Sequence, residues 1–205
     1  MQEFKSTVRR GLSDISERQI IINNELIKFE DKNLINKTFT SFNKQEITEY
    51  RYGIKWYSYY FIFGRKYIIE IRNNDNKTLK IHFKSYFGYR LKQIHQQYCN
   101  ILNALWDYHF EDMTEFYFSL LKQNIDFNVA GVRFSEKGVY IKNNTFIEWE
   151  DIRTGSYQTY FIVYSQKNPA KTNRAYYYLE DWNVSVLYSV LRTTLKNKGI
   201  ETYST

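Results

Sequence analysis

The chain has 205 residues, 43% of them hydrophobic and 25% charged, which is enough for one or two domains with a buried core. Its longest aromatic run, 56–63, is far shorter than the ~20 apolar residues of a membrane-spanning helix, and the N-terminus lacks the apolar stretch of a signal peptide. The single cysteine, Cys99, excludes an intramolecular disulfide and suits a reducing compartment. These features predict a cytoplasmic protein.

Aromatic residues are unusually frequent, with 20 Tyr, 15 Phe and 4 Trp, while Gly and Pro are scarce at 8 and 1. Tyr and Phe fit the half-buried surfaces of sheets, and a lack of Gly and Pro argues against long flexible linkers. The composition therefore predicts a strand-rich protein.

The net charge of +7 is unevenly distributed. Residues 1–110 carry 18 basic and 11 acidic side chains, whereas residues 111–205 carry 11 of each. If the protein binds an anionic partner, the first half is the part expected to meet it. The alternative is that this charge only keeps the protein soluble.

In the first half, an N-terminal extension, 1–18, precedes seven candidate strands separated by turn-forming residues. The strands are predicted at 19–22, 25–29, 34–39, 46–54, 56–63, 67–72 and 78–83. Because 56–63 is aromatic on both faces, it is predicted to be a central strand, and Gly64-Arg65-Lys66 is predicted to be a turn. Apolar residues then recur at helical spacing and predict a helix from near Tyr89 to Asp107, with a stripe of Leu91, Ile94, Tyr98, Ile101, Leu102 and Leu105.

A second amphipathic stretch, 109–124, is predicted to be a helical connector. The second half then repeats the plan of the first. Short strands are predicted at 125–129, 132–134, 138–142 and 145–149, and longer ones at 157–165 and 174–180. Val184, Leu187, Leu191 and Leu195 predict a terminal helix that ends at Gly199, before a tail at 200–205.

The stretch 131–141, a strand, a Gly-containing turn and a second strand before 147–152, resembles bacterial members of the pleckstrin-homology superfold. So does the order of about seven strands and one helix, over 125–198 and, with fewer matching features, 19–106. The resemblance implies a strand-rich α+β fold with two pleckstrin-homology-like repeats, at 19–108 and 125–199. Each would consist of an antiparallel barrel or two orthogonal sheets, closed by a C-terminal amphipathic helix. The resemblance also implies binding or scaffolding rather than catalysis.

Basic residues near strand ends of the first half are the candidates for contacting an anionic ligand. They are Lys55, Arg65, Lys66, Arg72, Lys77, Lys80 and Lys84. Lipid headgroups at a membrane surface and the phosphates of nucleic acid are both open as ligands, because Trp56 and its aromatic neighbours could also stack on bases. The alternative is a solvated rim without a ligand.

Residues with catalytic or metal-binding chemistry do not form a recognisable motif. His95 and Cys99 are spaced i, i+4, but zinc needs three or four ligands. The acidic string 148–151 is interpreted as a solvated strand edge. Neither a nucleophile motif nor a phosphate-binding loop is found, so no catalytic residue, metal or cofactor is predicted.

These observations predict a non-enzymatic scaffold or adaptor that binds another protein or a peptide. The alternative is a protein whose basic N-terminal half binds an anionic ligand, either membrane lipid headgroups or nucleic acid. Homo-oligomerisation is left open.

Overall fold

The computed structural model describes residues 3–9, 16–32 and 38–200. The chain divides into two compact units, unit 1 (residues 1–111) and unit 2 (residues 112–205). Both units consist of antiparallel sheets and helices, so the protein is strand-rich α+β.

Unit 1 contains two sheets in which strands pair in chain order. Sheet A contains β1 (Phe4–Val8), β2 (Arg18–Ile22), β3 (Leu26–Lys32) and β4 (Thr38–Asn43). Sheet B contains β5 (Ile47–Tyr59), β6 (Ile62–Asn73) and β7 (Thr78–Tyr86). Helix α1 (Leu91–Leu105) follows and continues into a π-helical segment, Trp106–Phe110.

Unit 2 begins with helix α2 (Glu111–Lys122), whose first residue is the last residue of unit 1. Sheet C contains β8 (Phe127–Val129), β9 (Val132–Ser135), β10 (Gly138–Ile141) and β11 (Thr145–Glu148). Sheet D contains β12 (Ile152–Ser156), β13 (Tyr160–Ser165) and β14 (Asn173–Tyr177), and helix α3 (Val184–Asn197) ends the unit. Both units thus have four strands, three strands and a helix in order. Within the described ranges the two sheets of a unit share no strand pairing, so they are open sheets and not a closed barrel.

The core of unit 1 follows from the alternation of side chains along the strands. In β7, Leu79, Ile81 and Phe83 are fully buried on one face. Helix α1 covers this face with Tyr98, whose ring centroid lies 5.2 Å from that of Tyr67 and 6.2 Å from that of Phe83. Burying an aromatic ring in this way stabilises the fold by about 1.5–3 kcal/mol.

The two predicted helix stripes differ in burial. In α3, Leu187, Leu191 and Leu195 are completely buried, as predicted. In α1, Tyr98, Ile101 and Leu105 are buried, as predicted, but Leu91, Ile94 and Leu102 are only half-buried. The periodicity located both helices, but it did not show how much of each stripe the sheets would cover.

The segment predicted to be an N-terminal extension contains a strand. β1 pairs with β2 from Phe4–Ile22 to Val8–Arg18. Only Val8 of β1 is buried, so its apolar pattern is weak. The predicted strand 34–39 falls largely outside the described residues, and β4 begins at Thr38.

The predictions for 56–66 are wrong. This segment is the end of the β5–β6 hairpin, whose turn lies at 60–61, and its aromatic residues are exposed instead of central. Gly64 lies inside β6 and not in a turn. A Cβ at this position would approach the Ser85 carbonyl oxygen to 2.0 Å, so the position requires glycine. The glycine permits a close approach of two strands.

Two details of unit 2 also differ from prediction. Residues 149–151 form a 3-10 turn and not a strand edge, and Asp151 accepts hydrogen bonds from the Ser165 hydroxyl (2.6 Å) and the Lys167 backbone amide (2.8 Å). The predicted strand from 157 begins only at Tyr160, after the β12–β13 turn.

Candidate functional site

The most exposed aromatic residues of the described chain cluster at the end of the β5–β6 hairpin. Tyr60 is 84% and Phe61 90% exposed, and Trp56 is 59% exposed. We call this cluster the aromatic tip; it consists of Trp56, Tyr59, Tyr60, Phe61, Ile62, Phe63 and Phe87. Contiguous exposed apolar surface of this kind marks interaction sites in soluble proteins.

The tip is held in place by contacts among its own residues. Phe87, in the turn between β7 and α1, donates its backbone N–H to the Phe63 carbonyl oxygen (2.9 Å). The rings of these two residues meet edge to face at 5.3 Å, and those of Tyr59 and Tyr60 at 4.6 Å. The tip is therefore a supported structure at the end of a regular hairpin.

Three lysines form a row across sheet B. Lys55 of β5 is directly opposite Lys66 of β6, which is directly opposite Lys84 of β7. Directly paired residues share one face of a sheet, so we call Lys55, Lys66 and Lys84 the lysine row. In the described part of the chain none of the three forms a salt bridge with a carboxylate.

The lysine row is electrostatically unfavourable for the free protein. Burial, with the charges of Lys84, Lys55 and Lys80 nearby, lowers the pKa of Lys66, and Glu70 only partly opposes this. Like charges placed directly opposite one another destabilise a sheet. An anionic ligand would remove this repulsion.

Aromatic residues connect the row to the tip on the same sheet face. Tyr57 and Tyr86 are two residues closer to the tip, with ring centroids 5.7 Å apart, and the Lys84 ammonium lies 5.5 Å from the Tyr57 ring centroid. Burial, with Tyr86 adjacent, raises the pKa of Tyr57 to about 12, and its hydroxyl donates to the Ser85 carbonyl oxygen (3.3 Å). On the opposite face, the Arg65 guanidinium lies 4.2 Å from the Trp56 ring centroid.

The seven predicted basic residues divide into two groups. Lys55, Arg65, Lys66 and Lys84 lie in the half of sheet B near the aromatic tip. Arg72 and Lys77 lie at the other end, where Arg72 pairs with Glu49 (2.7 Å) and Lys77 with Asp75 (3.2 Å).

Lys80 is also excluded from the first group, because it is directly opposite Glu70. The Glu70 carboxylate itself contacts Arg51 (2.7 Å) and His82 (2.9 Å). Away from the tip, the basic residues of sheet B therefore have carboxylates as ion-pair or cross-strand partners, whereas the lysine row near the tip has lysines opposite one another.

Other residues considered for chemistry do not converge. The Cys99 Sγ lies 3.7 Å from the His95 Nε2. Among the described residues, His, Cys, Asp and Glu form no group of three or more that could hold a metal ion.

The sequence named the lysines but missed the aromatic tip. Its run of aromatic residues was interpreted as a central strand because aromatic side chains are usually buried. A possible signal is five consecutive large apolar or aromatic residues, 59–63, with no polar residue to define an outer face.

No protein-family model matches the chain, and no curated protein matches its sequence. Within the residues that the structure describes, none of the helices is both long and apolar enough to cross a membrane. The aromatic tip and the lysine row are therefore the features of this chain that bear on its function.

Proposed function

We propose that this chain is a binding protein with two pleckstrin-homology-like units, and that unit 1 docks on anionic membrane surfaces through the aromatic tip and the lysine row. The shared order of four strands, three strands and a helix supports the first part. The observation that carries the second part is an almost fully exposed Phe61 at the end of a hairpin that also bears three lysines without a carboxylate partner among the described residues.

The distance between tip and row fits a membrane surface. Lys66 is four residues along β6 from Ile62, or about 14 Å at ~3.4 Å per residue. A segment that inserts ~5–10 Å to the boundary of headgroups and acyl chains would hold these lysines just outside the surface. There they lie within the ~8–10 Å range over which lipid charge acts at physiological salt.

We expect stable membrane binding to need both the aromatic tip and the lysine row. Burial of one aromatic side chain contributes about 1.5–3 kcal/mol, and each Lys near an anionic surface contributes about 1 kcal/mol. One weak signal gives only marginal, reversible membrane binding, and stable anchoring takes two. The tip and the row supply one of each.

A membrane explains the tip better than nucleic acid does. Binding of single strands uses flat ring faces placed along a basic groove. Here the most exposed residues, Tyr60 and Phe61, are at the extremity of the hairpin, and beside them lies the exposed aliphatic Ile62, which cannot stack on a base. Tyr57 and Tyr86, which lie beside the lysines, pack edge to face against each other.

The test is flotation of the full chain with vesicles of phosphatidylcholine, with and without phosphatidylserine. We expect binding only to the anionic vesicles, weakening as salt is raised. The variant Y60S/F61S should lose about tenfold or more in affinity, because it removes the inserted rings. F116S is the matched control, since Phe116 is 57% exposed and lies on α2.

A second readout reports insertion directly. Trp56 belongs to the tip and is exposed, so its fluorescence should shift to the blue when the protein binds anionic vesicles. The shift should disappear in W56F, which should still float. If the full chain does not bind anionic vesicles, or if Y60S/F61S binds as the original does, the membrane proposal is wrong and binding of a protein or peptide becomes the better hypothesis.

A further inference from the structure

A second feature of unit 1 is a groove of about 950 Å³ beside the aromatic tip. It is lined by Ser6 and Thr7 of β1, by 83–86 at the end of β7, and by the first turns of α1. Ligand sites commonly measure ~300–1,000 Å³, so the groove can hold a small ligand. Tyr89 and Arg90, in the turn after Phe87, also line it, which places the groove next to the tip.

The charge of the groove is strongly positive. Arg90 and Lys92 line it and form no salt bridge within the described part of the chain. Glu17 is the one carboxylate among the described lining residues, and it is neutralised by Arg9 at 2.7 Å. The N-terminal end of α1 adds the partial positive charge of the helix dipole. The groove is therefore suited to an anion.

The strand edges that border the groove argue against an added peptide strand. The Thr7 carbonyl oxygen accepts a hydrogen bond from the Gln97 side-chain amide, and the Tyr86 carbonyl oxygen accepts one from the Tyr89 backbone N–H (2.8 Å). Strand addition needs such edge groups to be available. A compact anion instead needs the cationic side chains, which are available.

We propose that this groove binds the phosphomonoester headgroup of an anionic phospholipid, an inference that rests on the membrane docking proposed above. A phosphomonoester carries up to two negative charges and three terminal oxygens, so it can contact several cations at once. Arg90 can bind two of these oxygens in parallel, while Lys92 contributes a point charge. The Arg90 Nε already donates to the Gln93 side-chain oxygen (2.7 Å), which orients the guanidinium beside α1.

The position of the groove links the two proposals. Phe87 belongs to the aromatic tip, and Tyr89 and Arg90 follow it in the chain and line the groove. When the tip inserts, the groove lies beside the inserted residues, at the depth of the headgroups. A phosphodiester, whose phosphate is covered by its alcohol, would enter less easily than a terminal phosphate.

The experiment compares vesicles containing phosphatidic acid with vesicles containing phosphatidylglycerol, matched for surface potential. We expect the full chain to bind the phosphatidic acid vesicles about tenfold more tightly, as expected for one or two additional charge-assisted contacts. R90Q/K92Q should abolish this preference while it still binds both vesicles. K77Q/K80Q, which removes the same charge from unit 1 outside the groove, should keep the preference.

A soluble probe separates failure of this inference from failure of membrane docking. Glycerol 3-phosphate should shift the NMR signals of Arg90 and Lys92 in the full chain but not those of Lys77. Equal binding of the two vesicle types, or a preference that survives in R90Q/K92Q, would overturn the headgroup site while membrane docking stands. Binding of glycerol 3-phosphate without any vesicle binding would overturn both the lipid assignment and the membrane proposal.

Discussion

At the scale of single residues, unit 1 combines favourable and unfavourable charge pairs on one sheet face. Glu70 is directly opposite Lys80, whereas Lys66 is directly opposite both Lys55 and Lys84. A cross-strand pair changes stability by roughly 0.2–1 kcal/mol, with a sign set by the charges. The like-charge pairs of the lysine row therefore destabilise the sheet, whereas the neighbouring Glu70–Lys80 pair does not.

Replacing the middle lysine of the row should stabilise the fold and weaken binding. K66T should raise the free energy of unfolding by about 0.5 kcal/mol, because it removes two like-charge pairs. It should also lower affinity for anionic vesicles several-fold, by about 1 kcal/mol. K80T is the control for strand propensity: it removes a favourable pair and should not stabilise. Urea unfolding and vesicle flotation measure the two effects, and destabilisation by K66T would contradict the repulsion.

Glu70 makes the stability of unit 1 depend on pH in the acid range. The hydrogen bond from His82 and the contact with Arg51 lower the pKa of Glu70 from 4.5 to about 2, although burial opposes them. Because the folded-state pKa is depressed, its contribution is complete above pH 4.5 and is lost as pH falls towards 2.

The loss due to Glu70 should amount to about 3 kcal/mol over that window. E70Q should therefore be less stable than the original protein at neutral pH but should lose less stability on acidification. Urea unfolding at a series of pH values measures this difference. Parallel pH profiles for the two proteins would contradict the assignment.

At the scale of elements, the two units differ in how completely the apolar stripe of their helix is buried. Leu191 of α3 is completely buried, while Leu102 of α1 is half-buried. L191A should cost about 2–5 kcal/mol, because it loses transfer free energy and leaves a cavity. L102A should cost clearly less, since water already reaches part of that side chain. Thermal or urea unfolding measures both, and equal losses would show that α1 is covered as completely as α3.

The β5–β6 hairpin shows how one element can serve two purposes. Along its inner part, Tyr67, Ile69 and Ile71 are fully buried. Beyond the part covered by α1 and sheet A, the same alternation continues but faces solvent, as Phe63 and Trp56 show. The tip is thus an extension of a core-forming pattern past the edge of the core.

At the scale of the whole molecule, the charge belongs mainly to unit 1. Residues 1–111 carry 18 basic and 12 acidic side chains, and residues 112–205 carry 11 and 10. We expect a fragment of residues 1–111 to float with anionic vesicles and a fragment of residues 112–205 not to do so. Both fragments should show cooperative unfolding, which serves as the control for folding. Equal vesicle binding by both would contradict the assignment of docking to unit 1.

Local pattern in the sequence located most of the secondary structure and part of the candidate site. Alternation located β7, helical spacing located α1 and α3, and the charge count directed attention to the first half. These signals were readable because a strand or helix needs only its own residues to create a periodic face.

Tertiary structure decided which of those faces are covered and which charges are paired. The sequence identified Lys55, Lys66 and Lys84 as basic, but only strand register placed them opposite one another. The exposure of Phe61 likewise depends on where the rest of unit 1 stops covering the hairpin. Register in these two hairpins follows from the connections at 60–61 and 74–77, and the sequence pattern placed the first turn wrongly, at 64–66. Coverage is set by contacts between residues far apart in the chain, for which one sequence contains no local signal.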